Sequence, residues 1–164
     1  MKSLTSLIGL LSLCVLFIGC PYESYVPIDK PFVKINPKLL GSWTVNENKG
    51  EEYKISKRDE FTYLIEYTEN KKSSDYGPFL AYASIVNGVT FLNLWENKAS
   101  ETSHPYSFYK LEITSDSKIT LFEVTENVDE KFASSDELKT FIAANMHTSY
   151  FFGKEPRELF RIRK

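Results

Sequence analysis

The chain has 164 residues, 42% of them hydrophobic and 15% aromatic, and its 20 basic and 22 acidic side chains give a formal net charge of −2. This is the length of a single domain, and the slightly acidic balance excludes a basic surface for nucleic acid. With two cysteines and two histidines the chain lacks the converging ligands of a zinc site, so no metal and no cofactor is expected.

The first 19 residues have the features of a secretory signal. Lys2 precedes an apolar run over residues 4–18, and a small residue, Gly19, stands directly before Cys20. The run has about 15 residues, fewer than the roughly 20 that cross a bilayer as a helix. A cleaved lipoprotein signal is therefore favoured over an uncleaved transmembrane helix and over an ordinary signal peptide with an incidental cysteine.

The sequence Phe17-Ile18-Gly19-Cys20 resembles the lipobox of bacterial lipoproteins, with Phe17 in place of the usual Leu. The resemblance implies that residues 1–19 are removed and that Cys20 carries the lipid, palmitate included, that holds the protein on a membrane. Pro21 stands where many enteric inner-membrane lipoproteins have Asp. The resemblance thus favours a place in the cell envelope at the outer membrane of a Gram-negative bacterium, with a Gram-positive plasma membrane as the alternative.

Residues 20–35 are predicted to form the lipidated cysteine and a proline-rich tether. Four of the seven prolines lie between Cys20 and the first predicted strand, and proline disfavours helix, so this segment is expected to be extended. Two interpretations are open: a spacer that holds the domain off the membrane, or a strap packed along the domain. We expect the chain to be free near Cys20 and docked near Ile35.

Alternating apolar and polar residues predict antiparallel strands from Trp43 onwards, with further strands around 53–55 and 61–67. Asn87-Gly88 predicts a type I′ hairpin that pairs Val86 with Val89. Because both faces of that hairpin are apolar, we expect it to be covered on both sides. Two more strands, 106–114 and 118–125, bring the number of strands to seven.

A helix is predicted over residues 134–146. Ser134 and Glu137 have the spacing of a capping box, and Leu138 and Ile142 lie on one apolar face that is expected to pack outside the sheet. An eighth strand follows at 159–164. The predicted fold class is mainly β: an antiparallel up-and-down β-barrel of about eight strands over residues 36–164, with one α-helix before the last strand.

The sequence Leu39-Leu40-Gly41-Ser42-Trp43, followed by strands, one helix and a final strand with arginine, resembles the lipocalin and wider calycin families. The closest resemblance is to small lipocalin-like bacterial lipoproteins of unassigned function, and it covers roughly residues 36–164. In those families the tryptophan closes one barrel end and an arginine of the last strand packs across it. The resemblance assigns these roles to Trp43 and to Arg161, with Arg163 as the alternative.

An eight-stranded barrel is wide enough to be filled by side chains or to hold one small ligand. The first hypothesis is therefore a small apolar ligand bound in a cavity lined by Tyr63 and Phe91, with Asn93 as a polar group. No catalytic constellation is found, so an enzyme is not expected. An enzyme in the cavity would need His104 or a carboxylate there.

The alternative hypothesis is a non-enzymatic interaction or envelope-assembly module with a filled barrel. It requires that Tyr82, Tyr106 and Phe108 point outward and form an exposed aromatic patch for an envelope protein. The sequence leaves the choice between the two open.

Overall fold

The computed structural model describes residues 21–45, 50–70, 72–73, 77–97, 104–125 and 127–163. The predicted signal peptide, its cleavage site and the lipidated Cys20 lie outside the described residues.

The described elements are ten strands, one 3₁₀ turn and one helix. In chain order they are β1 (Glu23–Ser24), the 3₁₀ turn (Pro37–Leu39), β2 (Gly41–Thr44), β3 (Glu51–Lys57), β4 (Thr62–Glu69), β5 (Lys72–Ser73), β6 (Phe79–Val86), β7 (Val89–Glu96), β8 (Tyr106–Ser115), β9 (Lys118–Glu123), α1 (Ser135–Asn145) and β10 (Arg157–Arg161).

Eight of these strands close into an antiparallel barrel. Strands β2, β3, β4, β6, β7, β8, β9 and β10 each pair with the next, and β10 returns to pair with β2. The two-residue strands β5 and β1 add to β4 and β8 outside this ring. The predicted fold class is confirmed, including the helix before the last strand. The last strand occupies residues 157–161 rather than the predicted 159–164.

The hairpin of β6 and β7 has the predicted register. Val86 lies opposite Val89, and the ladder continues to Phe79 opposite Glu96. Asn87 and Gly88 both have positive φ, 48° and 81°, as the type I′ turn requires.

The antiparallel order defines two ends of the barrel. β2 begins and β10 ends at one of them, which we call the Trp43 end. At the other, the Arg157 end, β10 begins and β4, β7 and β9 end.

Helix α1 packs on the outside of the barrel, as predicted. The Ser134 hydroxyl accepts the Glu137 N–H at 3.3 Å, while the Glu137 carboxylate accepts the Ala133 N–H at 2.9 Å. Leu138 and Ile142 are buried against the barrel wall. Capping thus sets where the helix begins, and its apolar stripe sets where it docks.

Two separate hydrophobic cores result. The inner core lies within the barrel and comprises Leu39, Trp43, Ile55, Tyr63, Ala83, Leu92, Leu111, Ile119 and Leu159. The outer core lies between the barrel wall, α1 and the N-terminal segment, and comprises Tyr22, Ile28, Val86, Phe91, Phe108, Val124, Val128, Leu138, Ile142, Met146 and Phe151.

Residues 21–35 form a strap on the barrel wall. The Tyr22 N–H donates to the Val124 carbonyl at 2.9 Å, and the Ile28 side chain is fully buried. The Ile35 N–H donates to the Glu60 carbonyl at 3.1 Å. The expectation of a free chain near Cys20 is therefore wrong from Pro21 onwards, because burial of Tyr22 and Ile28 fixes the segment. Of the two interpretations, the strap packed along the domain is the correct one for residues 21–35.

Candidate ligand cavity

The Trp43 end of the barrel is closed by a stacked pair of side chains. Trp43 is fully buried, and its indole N–H donates to the Leu39 carbonyl at 2.9 Å. The guanidinium carbon of Arg161 lies 4.3 Å from the centre of the Trp43 ring. The predicted contact between these two residues is present, and Arg161 rather than Arg163 makes it.

Arg161 also ties together the loops at this end. Its guanidinium donates to the carbonyls of Leu40, at 2.8 Å, of Asp116, at 2.7 Å, and of Lys38. A Cβ on Gly41 would lie 2.7 Å from the Arg161 Nη1, and Gly41 has a φ of 129°. The Gly-x-Trp sequence therefore has a steric reason here: glycine leaves room for the arginine that covers the tryptophan.

A cavity of about 440 Å³ lies inside the barrel and reaches the Arg157 end. Its volume lies within the roughly 300–1,000 Å³ of typical small-molecule sites. The lining is mainly apolar in the deeper part: Leu39, Ile55, Tyr63, Ile65, Ala81, Leu92, Leu94, Leu111, Ile119, Leu121 and Leu159. The barrel interior is thus partly filled by the inner core and partly empty.

Polar groups of the cavity gather at the Arg157 end. Arg157 donates to the Tyr53 hydroxyl at 3.1 Å, and the Tyr53 ring lies 5.0 Å from that of Tyr67. The Tyr109 hydroxyl donates to the Glu123 carboxylate at 2.7 Å. Among the lining residues Arg157 is the cation, and no carboxylate of the described residues lies within ion-pair distance of it.

The four tyrosine hydroxyls of the cavity are neutral at physiological pH. Burial raises the pKa of Tyr53, Tyr63, Tyr67 and Tyr109, and the neighbouring Glu123 carboxylate raises that of Tyr109 further. These groups therefore offer hydrogen bonds rather than charge, so that Arg157 and the lining carboxylates Glu23 and Glu96 provide the charged part of the site.

Of the three residues that the sequence analysis assigned to the cavity, Tyr63 lines it. Phe91 does not: it is fully buried in the outer core, with its ring 6.2 Å from that of Phe152. Asn93 is also fully buried outside the barrel, where it accepts the Ile28 N–H at 2.9 Å and donates to the Ser84 hydroxyl at 2.9 Å. This placement corrects the sequence-based one, because Leu92 and Leu94 are the residues of β7 that face inward.

The outward-facing aromatic residues are covered by the strap. Phe108 is fully buried with the Tyr22 ring 6.0 Å away, and Tyr82 donates from its hydroxyl to the Asp29 carbonyl at 2.6 Å. Tyr106 is partly buried beside them. The three do point outward, but they do not form an exposed patch.

His104 does not line the cavity. It stacks on Trp95 at 5.1 Å on the outside of the wall. In the ranges that the structure describes, no three His, Cys, Asp or Glu residues converge on a metal position.

Sequence reasoning missed Arg157 and Ala81. Arg157 was accessible in principle: Arg157, Leu159 and Arg161 alternate along β10, so an inward Arg161 places Arg157 on the same face. Ala81 pairs with Tyr63 and therefore shares its face, but the pairing of β4 with β6 is not set by a tight turn.

Neither a family model, nor a curated protein, nor a solved structure matches the chain. None of the helical segments in the described ranges is long and apolar enough to span a bilayer.

Proposed function

We propose that this protein is a lipocalin-like lipoprotein of the cell envelope that binds a small, mainly apolar ligand inside its barrel. The observation that carries the proposal is the cavity of about 440 Å³ inside a barrel whose Trp43 end is closed by the stacked Trp43 and Arg161. Its apolar depth suits a hydrophobic body, and the hydroxyls and charges near Arg157 suit one polar group. The ligand class is thus an amphipathic small molecule with its polar end at the Arg157 end.

The membrane anchor is supported by the lipobox resemblance at Cys20. The sequence favours attachment at the outer membrane of a Gram-negative bacterium. The partner-binding alternative has less support, because Tyr82 and Phe108 are almost fully buried and Tyr106 is partly buried. An enzyme also has less support, because His104 lies outside the cavity and the lining carboxylates Glu23 and Glu96 lie at the Arg157 end rather than in the apolar depth.

Native mass spectrometry tests ligand binding. The chain from Pro21 to Lys164, exported behind an ordinary cleavable secretory signal in place of residues 1–20, has no acylation site and is purified from a periplasm without detergent. We expect a bound small mass that is lost on denaturation. A bare protein mass, combined with no saturable uptake of an added apolar fluorophore, would contradict the proposal.

The anchor is tested separately on the wild-type chain. Mass analysis of its N-terminal peptide should show an acylated Cys20 as the first residue. An unmodified Cys20, or retention of residues 1–19, would contradict the lipoprotein assignment and leave the ligand result unaffected.

A further inference from the structure

We infer that the Arg157 end of the barrel rests against the membrane surface, so that the cavity opens towards the bilayer. This inference depends on the proposed lipidation of Cys20. It uses a separate observation, namely where the chain enters the fold.

The strap enters the fold at the rim of the cavity. Pro21 lines the cavity and forms a bridge with Thr125, just beyond the end of β9. Glu23, which also lines the cavity, pairs with Ser107 at the start of β8. The chain is thus fixed to the Arg157 end where it enters the fold, at Pro21–Ser24.

The buried Tyr22 holds this entry point in place. Its N–H donates to the Val124 carbonyl at 2.9 Å and its hydroxyl donates to the Glu130 carbonyl at 2.9 Å. Because Tyr22 is only 7% exposed, and its backbone N–H and side-chain hydroxyl are both hydrogen-bonded, the segment cannot be released without opening the outer core.

The anchor therefore has no spacer. Consecutive Cα atoms are about 3.8 Å apart, so Cys20 is within one residue of the cavity rim. Acyl chains on Cys20 enter the bilayer, and the Arg157 end must then lie at the membrane. The Trp43 end points away by roughly 20 Å, the height of an eight-residue strand tilted as in an eight-stranded barrel.

The chemistry of this end favours a zwitterionic rather than an anionic lipid surface. Tyr25, directly after β1, is 70% exposed, and tyrosine is enriched at membrane–water interfaces. The acidic residues at this end outnumber its described basic residues, Lys72, Lys154 and Arg157, and repel anionic headgroups: Glu23, Glu51, Glu69, Glu96 and Glu123. The anchor, and not charge attraction, sets the contact.

Two exposed positions at opposite ends provide a matched pair of labels. Glu69 ends β4 at the Arg157 end, and Ser115 ends β8 at the Trp43 end. Because acylation occupies Cys20 and Cys14 leaves with the signal, Glu69→Cys and Ser115→Cys each give a unique thiol for a fluorophore. The full lipoprotein is placed in phosphatidylcholine vesicles that carry nitroxides on their headgroups.

We expect quenching several-fold stronger at position 69 than at position 115. A flexible insertion of ten Gly/Ser residues between Cys20 and Pro21 has an end-to-end distance of roughly 17 Å. With this insertion, quenching should be equal at positions 69 and 115. Equal quenching without the insertion, stronger quenching at position 115, or no effect of the insertion would overturn the inference. The mass of the N-terminal peptide shows whether the labelled protein carries acyl chains. If it carries none, the result contradicts the proposed lipoprotein and not the orientation inferred here.

Discussion

The two cores of this protein are packed differently. In the outer core Phe91, Phe108 and Phe151 are fully buried between the barrel wall, the strap and α1. The inner core has Trp43 as its one fully buried aromatic residue, and towards the Arg157 end it gives way to a cavity of about 440 Å³. The many aromatic residues thus do not fill this barrel, because much of their side-chain volume packs on the outside of its wall.

This division separates stability from binding. The outer core supplies large buried apolar surface, which dominates folding free energy. Inside the barrel, side chains therefore need to pack closely only near Trp43 and Arg161. Elsewhere small residues such as Ala81 leave the cavity open. Substitutions in the two regions should therefore have different consequences, in stability for the outer core and in ligand uptake for the cavity.

The largest loss of stability is expected from Phe91→Ala in the outer core. Removing a fully buried phenyl ring should lower the free energy of unfolding by about 3–5 kcal/mol. Leu94→Ala, on the same strand but facing the cavity, is the matched control and should cost much less, since Leu94 is half-buried beside existing space. Equal losses in denaturant titrations would show that the two faces of β7 are equally packed.

Asn93→Ala should have the next largest effect, about 1–3 kcal/mol, because it leaves the buried Ile28 N–H and Ser84 hydroxyl without their partner. Ligand affinity should not change, since Asn93 lies outside the cavity. The exposed Asn127→Ala serves as control, with an expected change within about 0.5 kcal/mol. A loss of ligand affinity in a folded Asn93→Ala protein would show that Asn93 contributes to the binding site.

Much of the fold could be predicted from the sequence. Alternation and the Asn87-Gly88 turn define the register of β6 and β7, and Ser134 with Glu137 locates the start of α1. These are local signals, in which the residues that decide the structure are close in sequence. The Trp43–Arg161 contact is not local and was expected only through the family resemblance.

Which face of the hairpin points inward could not be predicted. Both faces are apolar, since one lines the cavity and the other lies under the strap and α1. The decisive fact is the pairing of Tyr63 with Ala81, which puts Phe91 on the opposite face from Tyr63. That pairing joins strands separated by a connection of nine residues, from Asn70 to Pro78, so no turn chemistry specifies it.

Alkaline pH should destabilise the protein through buried tyrosines on both faces of the barrel wall. Burial raises the pKa of Tyr82, on the outside, and of Tyr109, in the cavity, above the usual value near 10. Above pH 10 the unfolded chain loses these protons while the folded protein keeps them. Stability therefore falls as pH rises from there towards the folded pKa, by up to about 1.4 kcal/mol per pH unit for each tyrosine.

Tyr82→Phe and Tyr109→Phe should each flatten this decline in denaturant titrations above pH 10. Tyr25, whose side chain is 70% exposed, provides the matched control substitution. If neither Phe variant flattens the decline more than the control, burial of these hydroxyls is not its cause.

Filling the cavity should change stability least and binding most. Ala81 and Ala83 are neighbours on the inward face of β6, but Ala81 lines the cavity and Ala83 belongs to the packed inner core. Ala81→Leu places three extra carbons in empty space, so the free energy of unfolding should stay within about 1 kcal/mol, while ligand uptake is lost. Ala83→Leu overpacks the core and should cost about 1–3 kcal/mol, with uptake retained in the protein that folds. Because the two substitutions add the same atoms two residues apart, retained uptake in Ala81→Leu would mean that the ligand does not occupy this space.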